Sequence, residues 1–309
     1  MAPALPAPDR SLSDWLLRMH EASRKRAYSG TFVVSSGSSM SSARIWHVCD
    51  GEQQMERVEA LTGAPRATFR RNDQVVTFYP DTRVAVAERR ESLSLFPSRL
   101  QSADSSIARY YALQAVGSER VAGVEADVVH LQPRDNLRFA YRIWAEKKSG
   151  LVVKLQTRSA EGQVLEQAAF SELQLDAPVS MARLASMMAA TEGYQVQRLD
   201  LVKSSAEAAG WTLKAPVPGF EATGVYLRPG PVAEGRREDT LQWIFSDGLA
   251  TVSLFIEPFD ARRHAQTEVQ SPGATQLLMR RLLDHWLTAV GEVPPATLAA
   301  FAQALERRK

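Results

Sequence analysis

The chain has 309 residues, 45% of them hydrophobic and 23% charged, with a formal net charge of +2; this suits an ordinary globular protein of about two domains and argues against a disordered or fibrous one. The charge is too mild to point to nucleic acid, even though arginine outnumbers lysine 30 to 7. A single cysteine, Cys49, excludes an internal disulfide and any multi-cysteine metal site, and no run of about 18 apolar residues is present to span a membrane as a helix.

The opening MAPALPAPDR lacks the apolar segment of a secretory signal and reads as the flexible start of a mature exported chain. Ser11-Leu12-Ser13-Asp14 offers an N-cap with an acid three residues on, and Leu12, Trp15, Leu16 and Met19 follow at helical spacing. A helix is therefore expected up to Arg24, Lys25 and Arg26, whose charges suit the carbonyl end of its dipole. From Thr31 to Phe170 the texture changes to short alternating runs: TFVVS, ARIWHVC, QQMERVEA, RATFR, QVVTFYP, RVAVAER, YYALQAV, ADVVHLQP, RFAYRIW, LVVKLQT and VLEQAAF. Turns are expected at Asp50-Gly51, Asn72-Asp73, Pro80-Asp81, Ser149-Gly150 and Glu161-Gly162. This is the pattern of an antiparallel meander, and so many consecutive strands predict a curved sheet with something apolar on its concave side. In RFAYRIW, Phe139, Tyr141 and Ile143 fall on one side and Arg138, Ala140, Arg142 and Trp144 on the other.

Around Leu173 to Leu199 the strand pattern fails, and Asp176, Pro178 and Ser180 precede a short helix with Met181, Leu184, Met187 and Met188. The expected division is residues 1–176 as a first domain, 177–201 as a linker with a short helix, and 202–309 as a second domain. In LQWIFSDGLATVSLFIEPF, Leu241, Trp243 and Phe245, then Val252, Leu254 and Ile256, alternate across Asp247-Gly248 and predict a hairpin. LLMRRLLDHWLTAV fits helix or strand by its periodicity. Pro294 and Pro295 open a terminal helix with a stripe of Leu298, Phe301 and Leu305, closed by Arg307, Arg308 and Lys309.

Catalytic signatures are missing. There is no G-x-S-x-G elbow, no S-x-x-K and no phosphate-cradling glycine loop, and His20-Glu21 is followed by Arg24 where a zincin needs its second histidine. His20, His47, His130, His264 and His285 are scattered, and no cofactor is implied. These absences favour a binding protein over an enzyme. Two positive features stand out. Arg66, Arg70, Arg71, Arg83, Arg89 and Arg90 lie on strands that also carry Phe69 and Phe78, and a basic rim beside an apolar concavity suits an amphiphile with an anionic head; the alternative is a solvated outer face over a filled core. The C-terminal hairpin brings Trp243, Phe245 and Phe255, candidates for a partner surface or for plain core packing.

The run from YSGTFVVSSGSSM through QVVTFYPDTRVAVAER, then SERVAGVEADVVHLQPRDNLRFAYRIWAEKKSGLVVKLQT, and later GWTLKAPVPGF, FSDGLATVSLFIEP and VGEVPPATL, resembles the RseB/MucB family of periplasmic negative regulators of sigma-E-type envelope-stress signalling. The resemblance covers nearly the whole chain. It implies a mainly β fold: an N-terminal unclosed antiparallel β-barrel of the lipoprotein-carrier type with helices on its concave face, and a smaller C-terminal α+β domain. It also turns LLMRRLLDHWLTAV into a strand pair turning near Asp284. The implied function is non-enzymatic and periplasmic. The protein would bind the periplasmic domain of an RseA/MucA-type anti-sigma factor, shield it from site-1 proteolysis, and release it when lipopolysaccharide or lipoprotein acyl chains occupy the N-terminal cavity. Trp15, Leu16, Met19, Phe32, Phe69, Phe78, Phe139, Tyr141 and Ile143 are then the candidates for the lipid face, and Arg66, Arg70, Arg71, Arg89 and Arg90 for the anionic head group. A periplasmic lipid or lipoprotein carrier is the alternative, and a homo-oligomer is possible under either reading.

Overall fold

The computed structural model describes residues 11–51, 53–89, 107–199, 201–230, 232–233, 236–237, 239–264, 268–270 and 273–308. Its first element is α1 (Leu12–Lys25), started by the expected capping box: Ser11 Oγ accepts from the Asp14 amide while the Asp14 carboxylate accepts from the Ser11 amide. The meander follows as β1 (Tyr28–Ser36), β2 (Ser39–Asp50), β3 (Gln53–Ala60), β4 (Ala67–Arg71), β5 (Gln74–Tyr79) and β6 (Val84–Arg89). After a single turn, α2 (Ile107–Tyr110), come β7 (Tyr111–Val121), β8 (Val124–Pro133), β9 (Ala140–Glu146), β10 (Val152–Arg158) and β11 (Val164–Leu175). Next are α3 (Met181–Ala189), β12 (Gln195–Leu199) and β13 (Val202–Lys203). The C-terminal part holds β14 (Trp211–Leu213), β15 (Glu221–Arg228), β16 (Val232–Ala233), β17 (Arg236–Arg237), β18 (Thr240–Ser246) and β19 (Thr251–Pro258). It closes with β20 (Glu268–Gln270), β21 (Gln276–Leu282), β22 (His285–Gly291), α4 (Pro295–Ala304) and β23 (Leu305–Arg307).

Twelve strands form one sheet in the order β12-β6-β5-β4-β3-β2-β1-β11-β10-β9-β8-β7, so β1 pairs with both β2 and β11 and the two ends, β12 and β7, remain unjoined. Every pair is antiparallel except β12, which lies parallel to β6. A second sheet runs β13-β15-β18-β19-β22-β21-β20 and carries α4. Three cores result. Under α1 lie Tyr28, Phe32, Ile45, Leu131, Tyr141, Ile143, Leu155 and Phe170. Under α3 lie Met55, Phe69, Phe78 and Ala85. The C-terminal core joins Trp243, Phe245, Leu254 and Leu287 to Leu298 and Phe301.

Three sequence expectations change. Register puts the two helices on opposite faces of the long sheet: Ile45, in the α1 core, pairs with Val58, whereas Met55, in the α3 core, pairs with Val48 three residues along β2. α2 shares the α1 face, with Ile107 in the same core, and α3 covers the opposite one. The expected linker is also ordered against the first sheet, through α3 on β3 and β4 and through β12 on β6. Finally, the terminal helix stops at Ala304, because Leu305–Arg307 turns into a strand that pairs with Trp211–Leu213 and sets the Arg307 guanidinium over the Trp211 ring. LLMRRLLDHWLTAV is the strand pair that the resemblance implies, turning at Leu283 and Asp284.

Candidate ligand face and domain junction

Helix spacing brings Trp15, Leu16 and Met19 to one side of α1, and each is 1% exposed or less where it meets the sheet. Strand alternation supplies the opposing side: Phe32, Tyr141 and Ile143 are buried in the same cluster, with Phe32 and Phe170 edge to face at 6.2 Å and the Tyr111 and Tyr141 rings tilted to each other at 6.1 Å. Six of the nine candidate lipid residues thus meet in one place, and α1 occupies the face they form.

The other three lie elsewhere. Phe69 and Phe78 sit edge to face at 5.6 Å beneath α3, on the opposite face, since Phe69 pairs with Arg57 and Arg57 with Trp46, one residue out of phase with Ile45. Phe139 is buried but precedes β9, in the β8–β9 connection. The far side of β9 is covered too: Trp144 lies under the Arg142 guanidinium and the Lys154 ammonium, and its Nε1 donates to Glu119 at 2.8 Å.

The candidate head-group arginines do not form one patch. Arg66 is exposed before β4, Arg70 donates from Nε to the Asn72 carbonyl, Arg71 reaches Gln53, and Arg89 faces Asp73 at 3.8 Å; Arg90 lies outside the described residues. Consecutive residues of β4 point to opposite faces, so Arg70 alone of the β4 pair shares the α1 face.

Arg70 there ends a polar row, Tyr28–His47–Glu56–Arg70, made of directly paired residues on β1 to β4. The Tyr28 and His47 rings stack at 4.9 Å, and the Tyr28 hydroxyl is buried without a hydrogen-bond partner. His47 Nδ1 bonds the Arg26 carbonyl at 2.8 Å, so Nδ1 carries the proton; burial holds this imidazole down at about 4. Burial pushes the Glu56 carboxyl up to about 7, with Arg70 opposing. Burial also raises the Cys49 thiol.

Where the domains meet, the β8–β9 connection inserts Arg138 into the C-terminal half. Its Nε donates to Asp247 Oδ2 at 2.7 Å and its Nη2 to the Pro218 carbonyl at 2.7 Å, while Nη1 bonds Asp135. The guanidinium is held between the Tyr110 and Phe220 rings, at 4.3 and 4.8 Å. Asp247 also accepts from the Tyr111 hydroxyl at 3.2 Å and from the amides of Leu249 and Ala250. Around this ion pair, Leu249 packs into the core under α1 and Thr297 donates to the Leu137 carbonyl. By sequence Arg138 is only one member of an alternating run, on the side opposite Phe139, Tyr141 and Ile143, and Asp247 only part of a turn. Their pairing spans 109 positions, which no local pattern signals.

The candidate partner aromatics divide as well. Trp243 and Phe245 belong to the C-terminal core, where Phe245 meets Phe301 at 4.7 Å. Phe255 is half-buried on the other face, with the Arg228 guanidinium 5.5 Å from its ring centre. Among the described residues no group of three histidines, cysteines or acids could hold a metal, and no helix is long and apolar enough to cross a membrane.

The profile of the MucB/RseB N-terminal domain matches residues 11–188, and that of the MucB/RseB C-terminal domain matches residues 205–306. The sigma factor AlgU regulatory protein MucB of Pseudomonas aeruginosa is 30% identical over 306 residues, covering 97% of this chain and 92% of the relative. The sigma-E factor regulatory protein RseB of Escherichia coli is 21% identical, covering 93% and 88%. Among solved structures, MucB in complex with MucA(peri) aligns with a TM-score of 0.72 at 28% identity, over 97% of this chain and all of that one. MucB crystallised by itself aligns with a TM-score of 0.69 at 26% identity, over 96% and 98%.

Proposed function

The chain belongs to the MucB/RseB family, and from that premise we propose that it is a periplasmic, non-enzymatic regulator that binds the periplasmic domain of an RseA/MucA-type anti-sigma factor and shields it from site-1 proteolysis. The observation that carries this reading is the match of both domains, in order and nearly end to end, to MucB solved with MucA(peri). A lipid signal then acts through the α1 face. Trp15, Leu16 and Met19 fill the position that an acyl chain would take against Phe32, Tyr141 and Ile143, so lipopolysaccharide or a lipoprotein chain binds by displacing α1. Lipid binding and anti-sigma binding favour different arrangements of the two domains, and each weakens the other by the same factor. The buried junction at Arg138 and Asp247 gives the domains a defined arrangement to depart from.

The test is titration of the purified chain with the periplasmic segment of the anti-sigma factor from the same genome, with and without lipopolysaccharide or a lipidated peptide. A site-1 protease assay on the complex runs alongside. Saturable binding that protects the segment and that lipid reverses is the expected result. Lipid binding with no affinity for the segment would instead establish the carrier reading.

A further inference from the structure

Each domain lends one side chain to the core of the other. Leu249, in the turn between β18 and β19, is 6% exposed and joins the cluster under α1, where among the described residues every other member comes from residues 12–175. Leu137, in the β8–β9 connection, packs in return against the C-terminal core. Two polar links run beside them, from Arg138 to Asp247 at 2.7 Å and from Thr297 Oγ1 to the Leu137 carbonyl at 2.7 Å. The α2 turn reaches both places: Ile107 is fully buried in the α1 core, and the Tyr110 ring covers the Arg138 guanidinium at 4.3 Å. Tyr111 does the same, with its ring in the α1 core and its hydroxyl donating to Asp247 at 3.2 Å.

The β18–β19 turn is thus seated at the candidate lipid face and at the domain junction together. Protein interiors are packed as densely as crystals, so a chain that enters the core under α1 has to displace what fills it. Leu249 is one of those occupants, and it can leave without breaking any strand pair of the long sheet. Asp247 leaves with it, because that carboxylate accepts from the Leu249 and Ala250 amides at 2.9 and 2.7 Å. A partial move would hold two buried charges apart and dry, which is the costly case, whereas full separation lets water solvate both. The junction therefore has a closed and an open arrangement rather than a continuum between them.

We infer that the β18–β19 turn couples the two ligands: an acyl chain under α1 competes with Leu249 for one core, expels the turn, and so parts Asp247 from Arg138 and frees the C-terminal domain. The inference rests on the lipid reading above and supplies its route. Lipid and anti-sigma factor then weaken each other without touching, because one requires the turn to be out and the other requires it to be in.

Hydrogen–deuterium exchange of the full chain, with and without an N-palmitoylated peptide, tests this directly. The expected result is exchange faster by about tenfold or more at the Leu249 and Ala250 amides when the peptide binds, together with faster exchange in α1. Thr297→Val removes an interdomain hydrogen bond that lies outside the lipid face. It should tighten peptide binding by about fivefold, since a weaker junction opens more readily. Ile256→Val, in the C-terminal core at the far end of β19 from the turn, should leave peptide affinity unchanged. Equal tightening by both variants would reflect general loosening and overturns the inference. Should Thr297→Val fail to fold, the exchange pattern of the unaltered chain still decides the question. Saturable peptide binding with faster exchange in α1 and no change at Leu249 and Ala250 overturns the inference and leaves the lipid reading standing. No peptide binding at all removes both.

Discussion

The guanidinium of Arg138 and the carboxylate of Asp247 meet at 2.7 Å with neither side chain exposed to solvent, one supplied by the β8–β9 connection and the other by the β18–β19 turn. Two charges so deeply placed are tolerable because their other bonding positions are filled, by Asp135 and the Pro218 carbonyl on one side and by Tyr111 and two backbone amides on the other. The pair ties the β8–β9 connection to the β18–β19 turn through groups that are both fully buried.

Removing one partner strands the other charge. Arg138→Met is expected to destabilise the protein by about 3–5 kcal/mol in urea unfolding, and Arg138→Met combined with Asp247→Leu to recover part of that loss. Recovery stays incomplete because Asp247 also holds the Leu249 and Ala250 amides. A single variant with wild-type stability would remove the pair from any role in fixing the junction.

Gly219 has φ +77°, and a Cβ there would stand 2.2 Å from Arg138 Nη2 and 2.6 Å from the Tyr110 ring. Gly63 has a similar φ of +75° with open space around it. Gly219→Ala should therefore cost more than the roughly 1 kcal/mol of backbone strain expected for Gly63→Ala. Equal melting temperatures for the two variants would mean that the junction yields freely.

Glu56 makes the first domain sensitive to pH. Burial raises its folded pKa from 4.5 to about 7, so the stability it permits is complete below about 4.5 and is lost as pH rises through about 7. His47, lowered to about 4, works the other way: its contribution is complete above 6.5 and is lost as pH falls through about 4. Glu56→Gln should remove the alkaline loss, raising stability at pH 8 by up to roughly 3 kcal/mol, and leave the acid limb in place. Unfolding curves at pH 5 and pH 8 that shift in parallel with the wild type would count against a buried, desolvated Glu56.

Leu16 is fully buried on the sheet-facing side of α1. Leu16→Ala should cost about 2–5 kcal/mol of stability. If acyl chains enter by displacing α1, the same variant binds a lipidated peptide more tightly, because less packing has to be undone. Weaker lipid binding, measured by fluorescence titration, would place the acyl chain away from this helix.

Much of this architecture is legible in residue patterns. Ser11 and Asp14 announce α1, the two-residue alternation marks the strands, and Asp247-Gly248 marks the C-terminal hairpin, because each signal is local and repeats within a turn or a strand. LLMRRLLDHWLTAV was ambiguous for the converse reason: seven-residue strands with leucine at many positions satisfy both periods, and only pairing between Gln276–Leu282 and His285–Gly291 separates them.

Which face a residue occupies was settled by register alone. Phe69 and Phe32 look equivalent along the chain, yet the chain of pairs from β1 to β4 puts them on opposite sides of one sheet, and a shift of a single residue would exchange them. The same holds for Arg70 and Arg71. The sequence by itself determined three of the four helices among the described residues and most of the strands, which depend on neighbours in the chain. Tertiary structure decided that α1 and α3 cover opposite faces, that Trp243 and Phe245 are core, and that Arg138 finds Asp247, because these depend on contacts whose partners are scores of residues apart.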